Sequence, residues 1–295
     1  MAEVQALYLD LMKRALLGLL YDEAKLFRPI NMTIQRHFHK RIALSLISHY
    51  LARTDKQIMQ PVNFDLEKRL NGSDWPPPAF AQTMIGMKRL NNLQSCIEAV
   101  LKDNIPGDLI ETGAWRGGAT IFMRAVLKAY GVEDRLVWVA DSFEGLPEGD
   151  AAKYSQDEDD VHHKYNVFLS VSLEEVQDNF RRYNLLDEQV RFLKGWFKDT
   201  LPTAPIKSLA ILRLDGDMYE STTDALTNLY AKVSAGGYVI IDDYHLEGCR
   251  QAVHDYRSAH GIAEEIKDID GMGVYWQKVK AAIVMDHSSH AGGRR

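Results

Sequence analysis

Two pairs of carboxylates sit where hydrophobic patterning ends two apolar strands: Asp215-Gly-Asp217 after Leu209–Leu214, and Asp242-Asp243 after Tyr238–Ile241. At the C-terminal edges of adjacent parallel strands these acids would converge. Like charges that close raise one another's pKa unless a cation separates them. Hard oxygen ligands of this kind suit Mg²⁺, which takes a few carboxylates and leaves positions for water or substrate. Solvated loop acids and helix N-caps explain one such aspartate easily, but account poorly for both strand ends at once.

A second constellation is Glu111-Thr-Gly113-Ala-Trp-Arg-Gly117-Gly118, between a strand and a helix. Glycines there let the backbone approach a ligand at the edge where open α/β sheets bind them. Trp115 stands at the second glycine position of a dinucleotide fingerprint, where it would obstruct a pyrophosphate, so a nicotinamide dehydrogenase is disfavoured. The Glu-x-Gly-x-x-x-Gly spacing suits a cofactor with no phosphate and a positively charged amine, S-adenosylmethionine. Asp141 ends the next strand in Asp141-Ser-Phe-Glu-Gly-Leu-Pro147, where an acid accepts both ribose hydroxyls of a nucleoside. Read alone, it is as readily a turn or N-cap aspartate. Trp196 follows another strand end and is placed to stack on adenine or to fill the core.

Asp217, Tyr219, Tyr244 and His245 flank the strand-end carboxylates and are expected to line a substrate pocket. His162 and His163, in the acidic stretch 155–164, are given no metal role. The 150–170 stretch is long for a strand–helix connection, and is expected to be either a lid over the site or disordered.

The elements that must position these groups follow from periodicity. Helical spacing runs over 3–26, with Val4, Leu7, Leu11, Ala15 and Leu19 as one stripe, and over 33–55, with Phe38, Ile42, Leu46 and Tyr50. Asn71-Gly-Ser-Asp-Trp-Pro-Pro-Pro78 breaks the pattern, which places a boundary near residue 75. A helix over 84–101 then buries Ile85, Leu90, Leu93, Ile97 and Val100. Strands at 108–112, 136–140, 190–193, 209–214 and 238–241 alternate with helices at 117–130, 173–183, 221–233 and 247–260. Near-continuous apolar strands between helices require a parallel sheet covered on both faces. Two short runs, 264–269 and 273–276, join through Asp270-Gly-Met-Gly273 as a hairpin. The expected fold is α/β, a class I methyltransferase Rossmann-like sheet, mostly parallel with a C-terminal antiparallel hairpin. It carries an N-terminal helical extension (1–74) before the methyltransferase domain (75–280), and a disordered tail (281–295).

Composition narrows the class. The 295 residues are 46% hydrophobic and 26% charged, which is enough to bury a core. A net charge of −6 without a basic run argues against nucleic acid as partner. Cys96 and Cys249 are too few for a disulfide scaffold or a cysteine zinc site. Asp10, Lys13 and Arg14 interrupt the first apolar run, and no stretch approaches the ~20 residues of a membrane span. A cytoplasmic protein without membrane contact is expected.

Thr83-Met-Ile-Gly86 with Arg89-Leu90, Pro106 through Gly118, Asp141 through Pro147, Lys194-Gly-Trp-Phe197 and Leu214 through Thr222 together resemble the macrocin O-methyltransferase family. That family includes the mycinamicin and novobiocin sugar methyltransferases. The resemblance covers about residues 75 to 278, and the first 70 residues extend beyond the minimal family core. It implies methylation of a hydroxyl, dependent on S-adenosylmethionine and Mg²⁺, typically on a deoxysugar of a natural product. By the same match, Asp215, Asp242 and Asp243 would be metal ligands, with Asp215 also the base; the residues alone leave Asp217 as a lesser candidate for the base. The matched motifs would place Met84, Ile85, Thr112, Ala114, Trp115, Ala119, Ser142, Phe143 and Gly195 at the cofactor, beside Glu111, Gly113, Asp141 and Trp196. The expected partner is a small-molecule acceptor with a hydroxyl or vicinal diol. The N-terminal helices are expected to cover the entrance or build a homodimer. A catechol-type enzyme acting on a phenolic diol would use the same carboxylates. A non-enzymatic nucleoside-binding protein would keep the glycine loop alone.

Overall fold

Five runs dominated by apolar residues form the parallel core of a seven-stranded sheet: β1 (Asp108–Thr112), β2 (Val137–Asp141), β3 (Val190–Lys194), β4 (Leu209–Leu214) and β5 (Val233–Ile241). Two short strands, β6 (Lys267–Asp268) and β7 (Val274–Gln277), close it antiparallel. The order is β3-β2-β1-β4-β5-β7-β6. The computed structural model describes residues 2–20, 27–29, 59–61, 66–72, 80–148, 154–158 and 162–279, with Pro77 and isolated positions between 42 and 51.

Every residue of β4 is buried, as a central strand covered on both faces demands. On one face lie α1 (Ala2–Leu16), α2 (Met87–Lys102), α3 (Gly118–Ala129) and α4 (Leu173–Arg182). On the other lie α5 (Tyr219–Leu229) and α6 (Glu247–Ala259). Ser172 starts α4 by accepting a hydrogen bond from the Glu175 N–H at 3.2 Å, a side-chain N-cap. The α/β class, the sheet and its terminal hairpin are as the sequence predicts.

Several boundaries and one face differ. The first helix stops at Leu16, and its buried residues are Leu9, Met12, Lys13 and Leu16. Val4, Leu7 and Leu11 of the predicted stripe are 69%, 70% and 51% exposed. The helix is apolar on more than one side, and packing against α3 selects the side. In the second predicted helix, Ile42 and Tyr50 are helical but exposed, while Phe38 and Leu46 lie outside the described residues. Ile85 is buried but precedes α2, in the loop beside the site. The segments 73–76 and 281–295, with the predicted break and tail, also fall outside the description. No helix among the described residues is long and apolar enough to cross a membrane.

Candidate active site

Register decides where the chemistry-bearing residues emerge. Thr112 pairs with Ala140 on one side and Leu214 on the other, and Leu214 pairs with Ile241. The residues that follow these aligned ends emerge at one edge of the sheet: Gly113, Asp215 and Asp242, with Asp141 ending β2 beside them. The ladder continues one step further, because the N–H groups of Gly113, Asp215 and Asp242 each donate at 2.8 Å to the carbonyls of Ala140, Thr112 and Leu214. Gly113 has φ +92°, and a Cβ there would collide with the Asp215 carbonyl oxygen.

The carboxylates are organised around two buried arginines. Arg213, 1% exposed within β4, donates through Nη1 to Glu111 and, at 2.7 Å, to Asp215, and through Nη2 to Asp242. Arg89 of α2 donates to the other oxygen of Asp242 and, at 2.8 Å, to Asp270. Asp243 accepts from the Asp217 N–H at 3.0 Å. One carboxylate oxygen from each of Asp215, Asp242 and Asp243 lies within 4.8 Å of the others.

Two arginines do not neutralise this set. Burial pushes the Asp215 carboxyl well above the usual range, and Asp242 and Asp243 push it further against the pull of Arg213. Asp243 is raised by burial and by Asp217 and Asp242. Burial lifts Glu111 to about 8, with Arg213 opposing and Asp215, Asp242 and Asp141 adding. A site with this excess of acid favours a cation.

Two cavities meet at Asp215. The first, about 290 Å³, is lined by Gly113, Asp141, Ser142, Trp196 and Phe197. The second, about 370 Å³, is lined by Met84, Ile85, Glu111, Ala114, Trp115 and Ala119 on one side. Its other side holds Asp217, Asp242, Asp243 and His245. Glu111 Oε2 is buried there without a hydrogen-bond partner.

Asp141 does more than end a strand. Its carboxylate accepts from the N–H groups of Ala114 at 2.7 Å, Trp115 at 3.3 Å and Phe143 at 2.7 Å. It therefore holds the glycine loop to the loop that follows β2. Burial raises its pKa, and these three backbone bonds counter the rise.

The covering segment reaches the second cavity with His162, Tyr165 and Leu169. Trp115 Nε1 donates to the Phe168 carbonyl at 3.1 Å. Asn166 bonds the Leu146 N–H and carbonyl, both at 2.8 Å. The described parts of this segment thus pack against the glycine loop and line the second cavity.

Not every predicted residue lines a cavity. The Tyr219 hydroxyl donates to Asp255 at 3.0 Å, and the Tyr244 hydroxyl pairs with His254 at 2.8 Å, so both side chains turn to α6. Thr112, Phe143 and Gly195 support the walls rather than line them. Arg213 and Arg89 are functional residues that the sequence does not single out, and His162, given no metal role above, lines the second cavity. Arg213 had a legible signal, a lone charge inside Leu-Ala-Ile-Leu-Arg-Leu. Arg89 gives no such signal in the sequence, because its role needs the approach of α2 to β5.

Comparison with known proteins identifies the family. The macrocin O-methyltransferase (TylF) family model matches residues 5–278. The first 70 residues therefore lie almost wholly within the family's span, which corrects the expectation that they extend beyond it. Over 95% of both chains, the protein is 51% identical to the 8-demethyl-8-(2,3-dimethoxy-alpha-L-rhamnosyl)-tetracenomycin-C 4'-O-methyltransferase of Streptomyces olivaceus. It is 49% identical to the mycinamicin III 3''-O-methyltransferase of Micromonospora griseorubida, over 92% of this chain and 96% of that one. Among solved structures, the O-methyltransferase NovP superposes with a TM-score of 0.77 at 49% identity, covering 94% of this chain and 100% of that one. The chain belongs to the macrocin O-methyltransferase family, and it is an O-methyltransferase on the class I sheet.

Proposed function

We propose that this enzyme moves the methyl group of S-adenosylmethionine to a sugar hydroxyl on a small natural product. In this reading Mg²⁺ is held by Asp215, Asp242 and Asp243, and Asp215 takes the proton. The observation that carries the reading is the meeting of two cavities at Asp215, beside three carboxylates close enough to share one cation. Two relatives support the acceptor class, since one is named for a rhamnosyl tetracenomycin and the other for mycinamicin III.

The residues fit both groups. The unpartnered Glu111 Oε2 suits the amine of the methyl donor, while Trp196 and Phe197 offer aromatic walls to its base. The triad offers hard carboxylate oxygens in a region rich in negative charge, the donor set Mg²⁺ takes. When bound, the metal would make a sugar hydroxyl more acidic. Asp141 keeps the glycine loop in place, and the covering segment brings His162, Tyr165 and Leu169 to the wall of the second cavity. Positioning of this kind supplies several kcal/mol of a transfer barrier.

When bound, S-adenosylmethionine would supply the methyl group from its cationic sulfur and be left as S-adenosylhomocysteine. Asp215 would take the proton that the acceptor hydroxyl loses. Asp215 borders both cavities and gives one oxygen to Arg213, which places its carboxylate where the acceptor proton is released.

Mass spectrometry of glycosylated acceptors beside simple diphenols tests the reading. A gain of one methyl on a sugar, abolished by EDTA and restored by Mg²⁺, is the expected result. Transfer only to diphenols would reject the acceptor class, and full activity in EDTA would reject the metal. Asp215→Asn should lose about 10²–10⁴-fold in rate with no rescue by added Mg²⁺.

A further inference from the structure

Asp157 is 2% exposed, although it ends a single turn (Ser155–Asp157) in the covering segment. Its carboxylate accepts from the Tyr219 N–H at 2.8 Å and the Glu220 N–H at 2.9 Å. These are the first two N–H groups of α5, whose own N-cap residue, Met218, supplies no side-chain bond. Oδ1 also lies 3.3 Å from where a Cβ on Gly248, at the start of α6, would sit. The Tyr154 ring rests on the Tyr219 ring, 5.3 Å between centroids.

The turn Asp215-Gly216-Asp217-Met218 runs directly into α5 and is anchored along its length. At its start, the Asp215 N–H donates to Thr112. In its middle, Asp217 has φ +58° and donates its N–H to Asp243. At its far end stands Asp157, which comes from a segment remote in sequence. A carboxylate on helix-terminal N–H groups makes strong charge-assisted bonds, and its removal strands buried donors. The same covering segment brings His162, Tyr165 and Leu169 to the second cavity.

We propose that Asp157 is a positioning residue that fastens the covering segment to the carboxylate turn. Closing the acceptor cavity and setting Asp215 and Asp217 in place are then one event. This rests on the methyl-transfer reading above, because it assigns that turn to the reacting oxygen.

The test compares full-length wild type, Asp157→Ala and Asp157→Asn. In Asp157→Ala, kcat/KM for the acceptor should fall about 10–100-fold, the cost of a misplaced reacting group. Affinity for S-adenosylhomocysteine should stay within about twofold of wild type, since the glycine loop is anchored by Asp141 rather than Asp157. Limited proteolysis within 154–170 should speed up about tenfold, with the rest of the chain still protected. Asp157→Asn keeps one acceptor oxygen and should recover part of both losses. Wild-type turnover and proteolysis in Asp157→Ala would overturn the proposal. So would loss of cofactor binding together with cleavage throughout the chain, which marks a merely structural residue. If Asp157→Ala does not fold, the same comparison is read from Asp157→Asn. A wild type that methylates no sugar would strike the methyl-transfer reading instead.

Discussion

The backbone of Gly113 runs against that of Asp215 so closely that no side chain fits between them. The cofactor loop and the carboxylate turn therefore meet backbone to backbone at this one pair of residues. Gly113→Ala combines this collision with a φ of +92° that L-residues rarely adopt. It should cost at least about 1–3 kcal/mol and remove both transfer and cofactor binding. Thermal unfolding and calorimetry with S-adenosylhomocysteine measure the two effects. Binding at wild-type strength would show that the loops separate without consequence.

Asp242 and Asp243 should respond differently to conversion into asparagine. Both oxygens of Asp242 serve buried arginines, Arg89 and Arg213. Asp242→Asn leaves these charges short of a counterion, and loss of one partner of a buried pair costs about 3–5 kcal/mol. Asp243→Asn can still accept the Asp217 N–H, so it should keep most of its stability while metal dependence shifts to higher Mg²⁺. Urea unfolding beside Mg²⁺ titration of activity distinguishes the two. Equal stability of both variants would deny Asp242 its structural share.

Glu111 makes cofactor binding depend on pH. Its carboxyl is raised to about 8, so below that pH a proton must leave before the cationic donor can pair with it. Affinity should therefore climb as pH rises toward 8, by up to about tenfold per unit, and then level. The effect on folding has the opposite sense. A folded pKa above the unfolded value gives a contribution that is complete below about 4.3 and fades as pH rises to 8. Glu111→Gln should flatten both profiles. Calorimetry and melting curves between pH 5 and 9 would show an unchanged slope if Glu111 is not the group involved.

The helix face chosen by packing is open to a simple test. Leu9 is 1% exposed and Leu7 is 70% exposed. Leu9→Ala should destabilise the monomer by about 2–5 kcal/mol, whereas Leu7→Ala should change it by less than about 0.5 kcal/mol. Chemical denaturation of the two variants reads the difference. A larger cost at Leu7 would mean that another surface covers that stripe.

The sequence by itself determined the strand run and its alternation with helices, because apolar segments of this length have no other way to bury both faces. It also determined that Glu111, Gly113, Asp141, Asp215, Asp242 and Asp243 stand at or just after strand ends, since motif and strand are continuous in the chain. Only the tertiary structure decided what those residues touch. Registers that align Thr112, Leu214 and Ile241 bring the acids within reach of Arg213, and α2 carries Arg89 to the same carboxylate. Tyr219 and Tyr244 stand beside the carboxylates in sequence, yet they bond to α6, because side-chain direction depends on the helix packed alongside. The face of α1 that meets the core was likewise settled by α3, and the place of Asp157 by a helix end more than sixty residues away. Periodicity and motif spacing report local order, whereas ion-pair partners and packing faces arise between segments that only the folded chain brings together.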